Sequence, residues 1–277
     1  MSFHRIRLWI GFAVMACAVA VLPALGQAAN DGSDFTEQQK ADFLMNAKVI
    51  HHKQTAKGVT QPYQLTLSDG TVTHDGDFQP IDETKPVMRF ADGRTEFNFK
   101  DSYKFNIAGY ELAKLLGMDN MIPVTVQRSW NGMRGSLSWW IDNVAMDEFD
   151  RSRKKLDAPD PDAWNKQMYK IRVFDELVYD TDANLTNVLI TKDWKIWRID
   201  FTRAFRTWKK LKNPDNLVMC DKTLLEKLKA LNDVQLKDAT KNYLSGSEVK
   251  ALLARRDLIV ARFAKLAAEK GDAAVYY

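Results

Sequence analysis

The sequence predicts a two-lobed α+β fold, with a β-rich first half and an α-helical second half. Three observations carry that expectation. Apolar residues alternate with period two between residues 47 and 81, and they recur at helical spacing from residue 163 onward. A charged stretch over residues 147–162, with Pro159 and Pro161, separates the two regimes. Period two matches a strand with one face buried, whereas a period near 3.6 matches a helix with one apolar stripe.

Residues 1–29 stand apart from this pattern. Arg5 and Arg7 come first with no acid nearby, an almost unbroken apolar run extends from Leu8 to Leu25, and Gly26, Ala28 and Ala29 follow. Basic, apolar and small residues in that order predict a secretory signal cut after Ala28 or Ala29. The alternative is an uncleaved N-terminal anchor, since the run approaches the roughly 20 residues that span a bilayer. Pro23 and Gly26 interrupt it and favour cleavage. The expected location is therefore secreted or periplasmic, with no membrane span after cleavage. Cys220 is the one cysteine beyond the signal, so an intrachain disulfide is excluded, as suits an exported bacterial protein. Beyond residue 29 the chain holds 38 basic and 36 acidic residues, a balance that argues against a nucleic-acid partner.

After a polar tether over residues 30–41, the first lobe is expected over 42–145. Val49-Ile50 and Tyr63-Gln64-Leu65-Thr66-Leu67 read as strands, and Asp69-Gly70 turns the chain into a third strand over residues 71–81. Phe105, Ala108, Leu112, Leu115 and Leu116 predict a helix over 101–118, opened by Asp101-Ser102 and stopped by Gly117. Two strands, 122–126 and 135–141, then flank the turn Asn131-Gly132. The second lobe, 146–277, begins with the surface connection over 147–162. A helix over 163–179, short strands at 188–190 and 196–199, and helices to residue 269 complete it.

The chemistry concentrates after the first of those helices. In Asp180-Thr181-Asp182-Ala183-Asn184-Leu185-Thr186-Asn187, the last asparagine follows Asp182 by five positions, and Asp200-Phe201 begins eighteen positions after Asp182. An Asp, an Asn five residues on and a later Asp-Phe pair, set between a helix and two strands, is the spacing used for phosphoryl transfer from ATP. That reaction needs a divalent cation bridging the phosphates, because negative charge spreads over their oxygens. Asn187 and Asp200 offer hard oxygen ligands for Mg²⁺, and Asp182 is placed to take or orient the acceptor hydroxyl's proton. By themselves Asp182 and Asn187 would be ordinary turn residues. Asp200 at the matching distance makes them a candidate site.

The segment from Phe174 to Asn187, with Ile199 to Phe205, resembles the atypical branches of the protein-kinase-like fold: phosphatidylinositol kinases, HipA-type bacterial kinases and Golgi secretory-pathway kinases. Tyr110-Glu111-Leu112-Ala113-Lys114-Leu115-Leu116-Gly117 and Ile122-Pro123-Val124-Thr125-Val126 resemble their N-lobe helix and the strand after it. The resemblance implies ATP with Mg²⁺ or Mn²⁺, a catalytic Asp182, metal-binding Asn187 and Asp200, and an adenine between the lobes near residues 140–144. Ala183 stands where those families often carry Arg, and Thr202 where a glycine is usual.

It further implies Gln79 at the position of the phosphate-binding lysine, Asn106 at that of the helix glutamate, and Gly58 in the phosphate-covering loop. Gln79 and Asn106 bring no positive charge, so Lys85, Lys100 or Lys104 would substitute from another direction, with Lys100 the preferred candidate. Arg203 and Arg206 are placed for either a phosphate or a carboxylate partner. Two functions follow. One is an exported ATP- and Mg²⁺-dependent phosphotransferase acting on an unknown hydroxyl acceptor (protein, lipid or small molecule). The alternative is a catalytically inactive pseudokinase binding a nucleotide or a protein partner. Nucleotidyl transfer is a third chemistry open to divergent members.

Overall fold

The computed structural model describes residues 31–55 and 62–277; the leader expected over residues 1–29 and Gly58 lie outside the described residues. The first helix, α1 (Glu37–Asn46), starts at Thr36 with a reciprocal cap. Gln39 N–H donates to Thr36 Oγ1 at 3.2 Å, and Thr36 N–H donates to Gln39 Oε1 at 2.8 Å. The tether expected over residues 30–41 is thus helical in its second half. Phe43 and Leu44, buried on the inner face of α1, give the helix a reason to dock.

Strands β1 (Lys48–Gln54), β2 (Tyr63–Ser68) and β3 (Thr73–Gln79) form the expected antiparallel meander. Asp69 makes the β2–β3 turn by accepting the N–H groups of Thr71 and Val72, each at 2.8 Å. The chain next forms a hairpin that the sequence reading passed over, β4 (Asp82–Arg89) and β5 (Thr95–Ser102), a two-stranded sheet of its own. Helix α2 (Lys104–Leu116) follows one residue later. Asp101 and Ser102, expected as its N-cap, are instead the last residues of β5. The residue before the helix is Tyr103, which makes no side-chain cap, and Ser102 Oγ accepts only the Lys104 N–H at 3.3 Å. Gly117 closes α2 as predicted, with the left-handed φ of 66° that glycine adopts without strain. Strands β6 (Thr125–Trp130) and β7 (Met133–Trp139) complete a five-stranded sheet in the order β1-β2-β3-β7-β6.

Residues 140–143 lead to β8 (Val144–Asp147) and α3 (Glu148–Lys154), a short helix inside the expected surface connection. Asp147 caps α3 by accepting the Asp150 N–H at 2.8 Å, and Arg151, Arg153 and Lys154 occupy its last turn, where cations suit the helix dipole. Helix α4 (Pro161–Val178), capped by Asp160, precedes β9 (Val188–Thr191) and β10 (Ile196–Arg198), which pair with β8 in the order β10-β9-β8. Helices α5 (Lys222–Ala230), α6 (Asp233–Thr240) and α7 (Gly246–Lys270) complete the lobe. Ser245 and Glu248 cap α7 reciprocally.

One continuous core joins the lobes. Leu65, Phe78 and Leu137 of the large sheet, Phe105 and Leu112 of α2, and Phe174, Leu177 and Phe263 of the helical lobe are all fully buried. Each contributes on the order of 1.5–3 kcal/mol by leaving water. Among the described residues no helix is long and apolar enough to cross a membrane.

Candidate active site

The site is built where α4 ends and β9 begins. The terminal carbonyls of α4 have no partner within the helix and need donors from elsewhere. Arg255 Nε, buried on α7, donates to Leu177 O at 2.8 Å, and the Phe205 N–H donates to Val178 O at 2.6 Å. Tyr179, at φ 50°, turns the chain out of the helix into Asp180. Asp180 is 1% exposed; its Oδ1 accepts the Asp182 N–H at 2.9 Å and its Oδ2 accepts from Arg198 Nη2.

Arg198 itself is fully buried at the end of β10. It donates through Nε to Asp175 Oδ1 at 3.0 Å and through Nη1 to the backbone carbonyls of Ile199 and Asp200, the latter at 3.1 Å. One guanidinium therefore ties the helix end, the loop before Asp182 and the backbone of Asp200 together. Burial works against its charge, but the carboxylates of Asp175, Asp180 and Asp200 hold it above its ordinary range. Burial likewise pushes Asp180 up to about 6, with Arg198 pulling against it. A pair this deep is costly to break from one side only, because the remaining charge loses its partner.

This frame brings the three predicted residues together. Asp182 is exposed, and its carbonyl accepts the Asn184 N–H at 2.7 Å and Asn187 Nδ2 at 3.5 Å. Asn187 closes a single 3₁₀ turn and accepts the Ile199 N–H at 3.0 Å, which sets it beside the residue preceding Asp200. Asp200 sits at φ 58° and is exposed, its Oδ1 accepting the N–H and the hydroxyl of Thr202 at 3.2 and 3.0 Å. That leaves Oδ2 for a cation. One carboxylate and one neutral amide on adjacent backbone segments suit a hard divalent ion such as Mg²⁺.

The next residue fixes the other side. Phe201 is 2% exposed and lies under α2, where a β-carbon on Gly109 would meet its Cδ2 at 2.8 Å, so only glycine lets the helix approach this closely. Phe174 packs against it edge-on at 5.4 Å between ring centres. The Phe201 N–H donates to Asn106 Oδ1 at 2.7 Å, while Asn106 Nδ2 donates to Ser136 Oγ at 3.1 Å. The Ser102 N–H also donates to Thr202 O at 2.9 Å.

Comparison with solved structures gives the same architecture. The structure of hydra Fam20 with sugar superposes with a TM-score of 0.65, covering 87% of this chain and 91% of that one at 14% identity. The Golgi casein kinase gives 0.60 over 87% and 77% at 13% identity. The Helicobacter pylori proinflammatory kinase CtkA gives 0.52 over 82% and 97% at 11% identity. No protein-family model and no curated protein matches the sequence. The chain has an atypical kinase-like fold.

Within that kinase-like fold, the described residues assigned to the nucleotide from sequence fall in two places. Gln79 ends β3, buried opposite Ser136 on β7, and Asn106 bonds to that same serine, so the two amides share one neighbourhood under the sheet. Both of Asn106's polar atoms are engaged by protein, which makes it a holder of Phe201. Lys100 departs from expectation: its ammonium donates to Glu248 Oε1 of α7 at 2.6 Å and lies 4.7 Å from the Phe105 ring centre. On β5 the neighbouring Asp101 takes the opposite pleat, toward Thr202 and Asp200, and Lys100 points away with Glu248. Arg203 and Arg206 resolve in favour of a carboxylate, both pairing with Glu96 on β5.

The sequence reading also missed Asp77. It is half-buried on β3, on the face opposite Phe78, and burial and then the nearby Asp200 carboxylate push it up to about 7. Its signal in the sequence was an acid inside a strand of otherwise alternating pattern, two residues before Gln79.

Proposed function

We propose that this chain is an exported, ATP- and Mg²⁺-dependent phosphotransferase acting on a hydroxyl acceptor. The observation that carries the reading is the convergence of Asp182, Asn187 and Asp200 through the Asn187 carbonyl bond to Ile199 and the Arg198 clamp. In this role Asn187 and Asp200 would hold the divalent ion, which when bound neutralises phosphate charge. Asp182, exposed and free of side-chain bonds, would accept the acceptor's proton. A Golgi casein kinase of the same fold has been solved with Mn/ADP bound, which supports Mn²⁺ as an alternative ion. The basic, apolar and small-residue order of residues 1–29 supports export.

A second reading, a pseudokinase that binds a nucleotide or a protein without transferring phosphate, draws on the residues assigned to the phosphates from sequence. Gln79, Asn106 and Lys100 bring no cation there, since two are neutral and the third is paired with Glu248. A thermal-shift titration with ATP, with and without Mg²⁺ or Mn²⁺, tests the site first. A ligand that binds the folded state alone raises the melting temperature. The expected outcome is a metal-dependent rise that Asp200→Ala abolishes; an undiminished rise in that variant removes Asp200 from the site. Phosphate release or transfer to a generic acceptor then separates the two readings.

A further inference from the structure

The loop of residues 140–143 connects the five-stranded sheet to β8 and carries the region where the adenine is expected. Its two ends are held by backbone bonds: the Trp140 N–H donates to Asp75 O on β3 at 3.2 Å, and the Lys192 N–H donates to Asn143 O at 3.0 Å. A side chain holds its middle. His74 of β3 is 5% exposed and stacks on Trp139, with ring centres 3.8 Å apart and planes 17° from parallel. Its Nδ1 lies 2.7 Å from Asp75 O, and its Nε2 lies 2.8 Å from Asp142 Oδ2.

Both partners are acceptors, one a carbonyl and the other a carboxylate. A neutral imidazole carries one N–H and can satisfy only one of them, leaving a ring lone pair against an oxygen at the other. An imidazolium donates to both. A flat cation over an indole face is also attracted by the ring's quadrupole. We propose that His74, as an imidazolium, is a positioning residue that staples residues 140–143 to β3 through Asp142, and that the staple opens when the ring loses its proton. As regulation of the nucleotide pocket, this rests on the phosphotransferase reading; as a link between histidine charge and loop position, it stands without it.

The surroundings agree in sign. Asp142 is half-exposed at the loop end of the pair. Asp31 is held low chiefly by the Ser33 N–H and in smaller part by the His74 charge, so it lies within reach of the ring. The Asp75 carboxylate is taken by Gln64. Against the cation stands Lys40 of α1, whose ammonium is 5.2 Å from the Trp139 ring centre. From β2 the cross-strand neighbour is the apolar Leu67. Two carboxylates and a carbonyl thus face the ring, with one ammonium beyond the indole. The staple is complete when His74 carries its proton and weakens as pH rises.

The test is a nitrogen-resolved NMR titration of the protein between about pH 5.5 and pH 8, the window in which histidine changes charge. At the low end both His74 ring nitrogens are expected to carry hydrogens. The amide signals of residues 140–143 should move as one of those hydrogens is lost. Asp142→Asn, at the half-exposed end where folding is least at risk, should show at low pH the loop positions that the parent shows at high pH. His74→Gln should give loop signals that ignore pH. A single ring N–H at about pH 5.5, or an Asp142→Asn loop that keeps the parent's low-pH positions, overturns the proposal. Mg²⁺–ATP affinity supplies the second arm: a loss of affinity from the low-pH to the high-pH end of the titration in the parent, absent beyond the share of Asp77 in His74→Gln. If ATP binds at no pH, the phosphotransferase reading fails, while the NMR arm still decides the staple.

Discussion

Replacing Asn106 by alanine asks whether this residue, at the position where the resemblance expects a glutamate, serves the ligand or the frame. The structure gives the frame a definite share. Asn106 is 8% exposed, accepts the Phe201 N–H at 2.7 Å and donates to Ser136 Oγ at 3.1 Å. Truncation leaves the Phe201 N–H buried without an acceptor, at a cost of about 1–3 kcal/mol, and removes a neutral bond contributing about 0.5–1.5 kcal/mol. A loss of roughly 2–3 kcal/mol follows, because Ser136 can turn its hydroxyl elsewhere. For a chain of this size that is a fall of about 5–10 °C in melting temperature. Asp200 is the residue before Phe201, so metal-dependent ATP affinity should fall with it, by about tenfold for each 1.4 kcal/mol of misplacement. Asn106→Asp keeps an acceptor for Phe201 and should recover most of the stability. Differential scanning calorimetry and a nucleotide titration on the same three proteins provide the assay. A melting change under about 1 °C in Asn106→Ala, together with lost ATP binding, would refute the argument and return Asn106 to direct ligand contact.

Three further outcomes follow from the site. Asp182→Asn should retain metal-dependent ATP binding while lowering phosphoryl transfer by about 10²–10⁴-fold, read as kcat in a transfer assay. Arg198→Met leaves the buried Asp180 and the half-buried Asp175 without their cation and should cost about 3–5 kcal/mol, measured by denaturant unfolding at pH 7. Asp77→Asn tests the acid facing Asp200. Its folded value, about 7, lies above the ordinary carboxylate value, so the folded state holds the extra proton, and stability declines as pH rises toward 7. The substitution should therefore raise the melting temperature at pH 8 and change it little at pH 4; the reverse order would place a cation beside Asp77.

Much of this molecule is local and hence legible. Asp182, Asn187 and Asp200 lie within nineteen residues, on a helix end, a turn and a strand end that alternation and helical spacing announce. The turns at Asp69-Gly70 and Asn131-Gly132 and the stop at Gly117 follow from backbone chemistry that only a few residues satisfy. The β4–β5 hairpin carried a comparable signal, Asp92-Gly93 between Thr84–Met88 and Thr95–Phe99, but β4 has no buried residue, β5 is buried only toward its end, and neither strand shows much apolar alternation. The α2 start was misplaced for a related reason: Asp101 and Ser102 have capping side chains, yet cross-strand bonds to Asp82 and Glu83 claim their backbone for β5.

Sequence by itself determined the order of the two lobes, the spacing of Asp182, Asn187 and Asp200, and the neutral amide at Gln79. Tertiary structure decided who meets whom. Lys100 finds Glu248 148 residues later, Asn106 finds Phe201 95 residues later, and Arg203 and Arg206 find Glu96 more than a hundred residues earlier. Burial decides these pairings, because a polar group removed from water takes whichever partner the packing of distant segments supplies. Composition names the candidates for such bonds, and only the fold sets the distance between them.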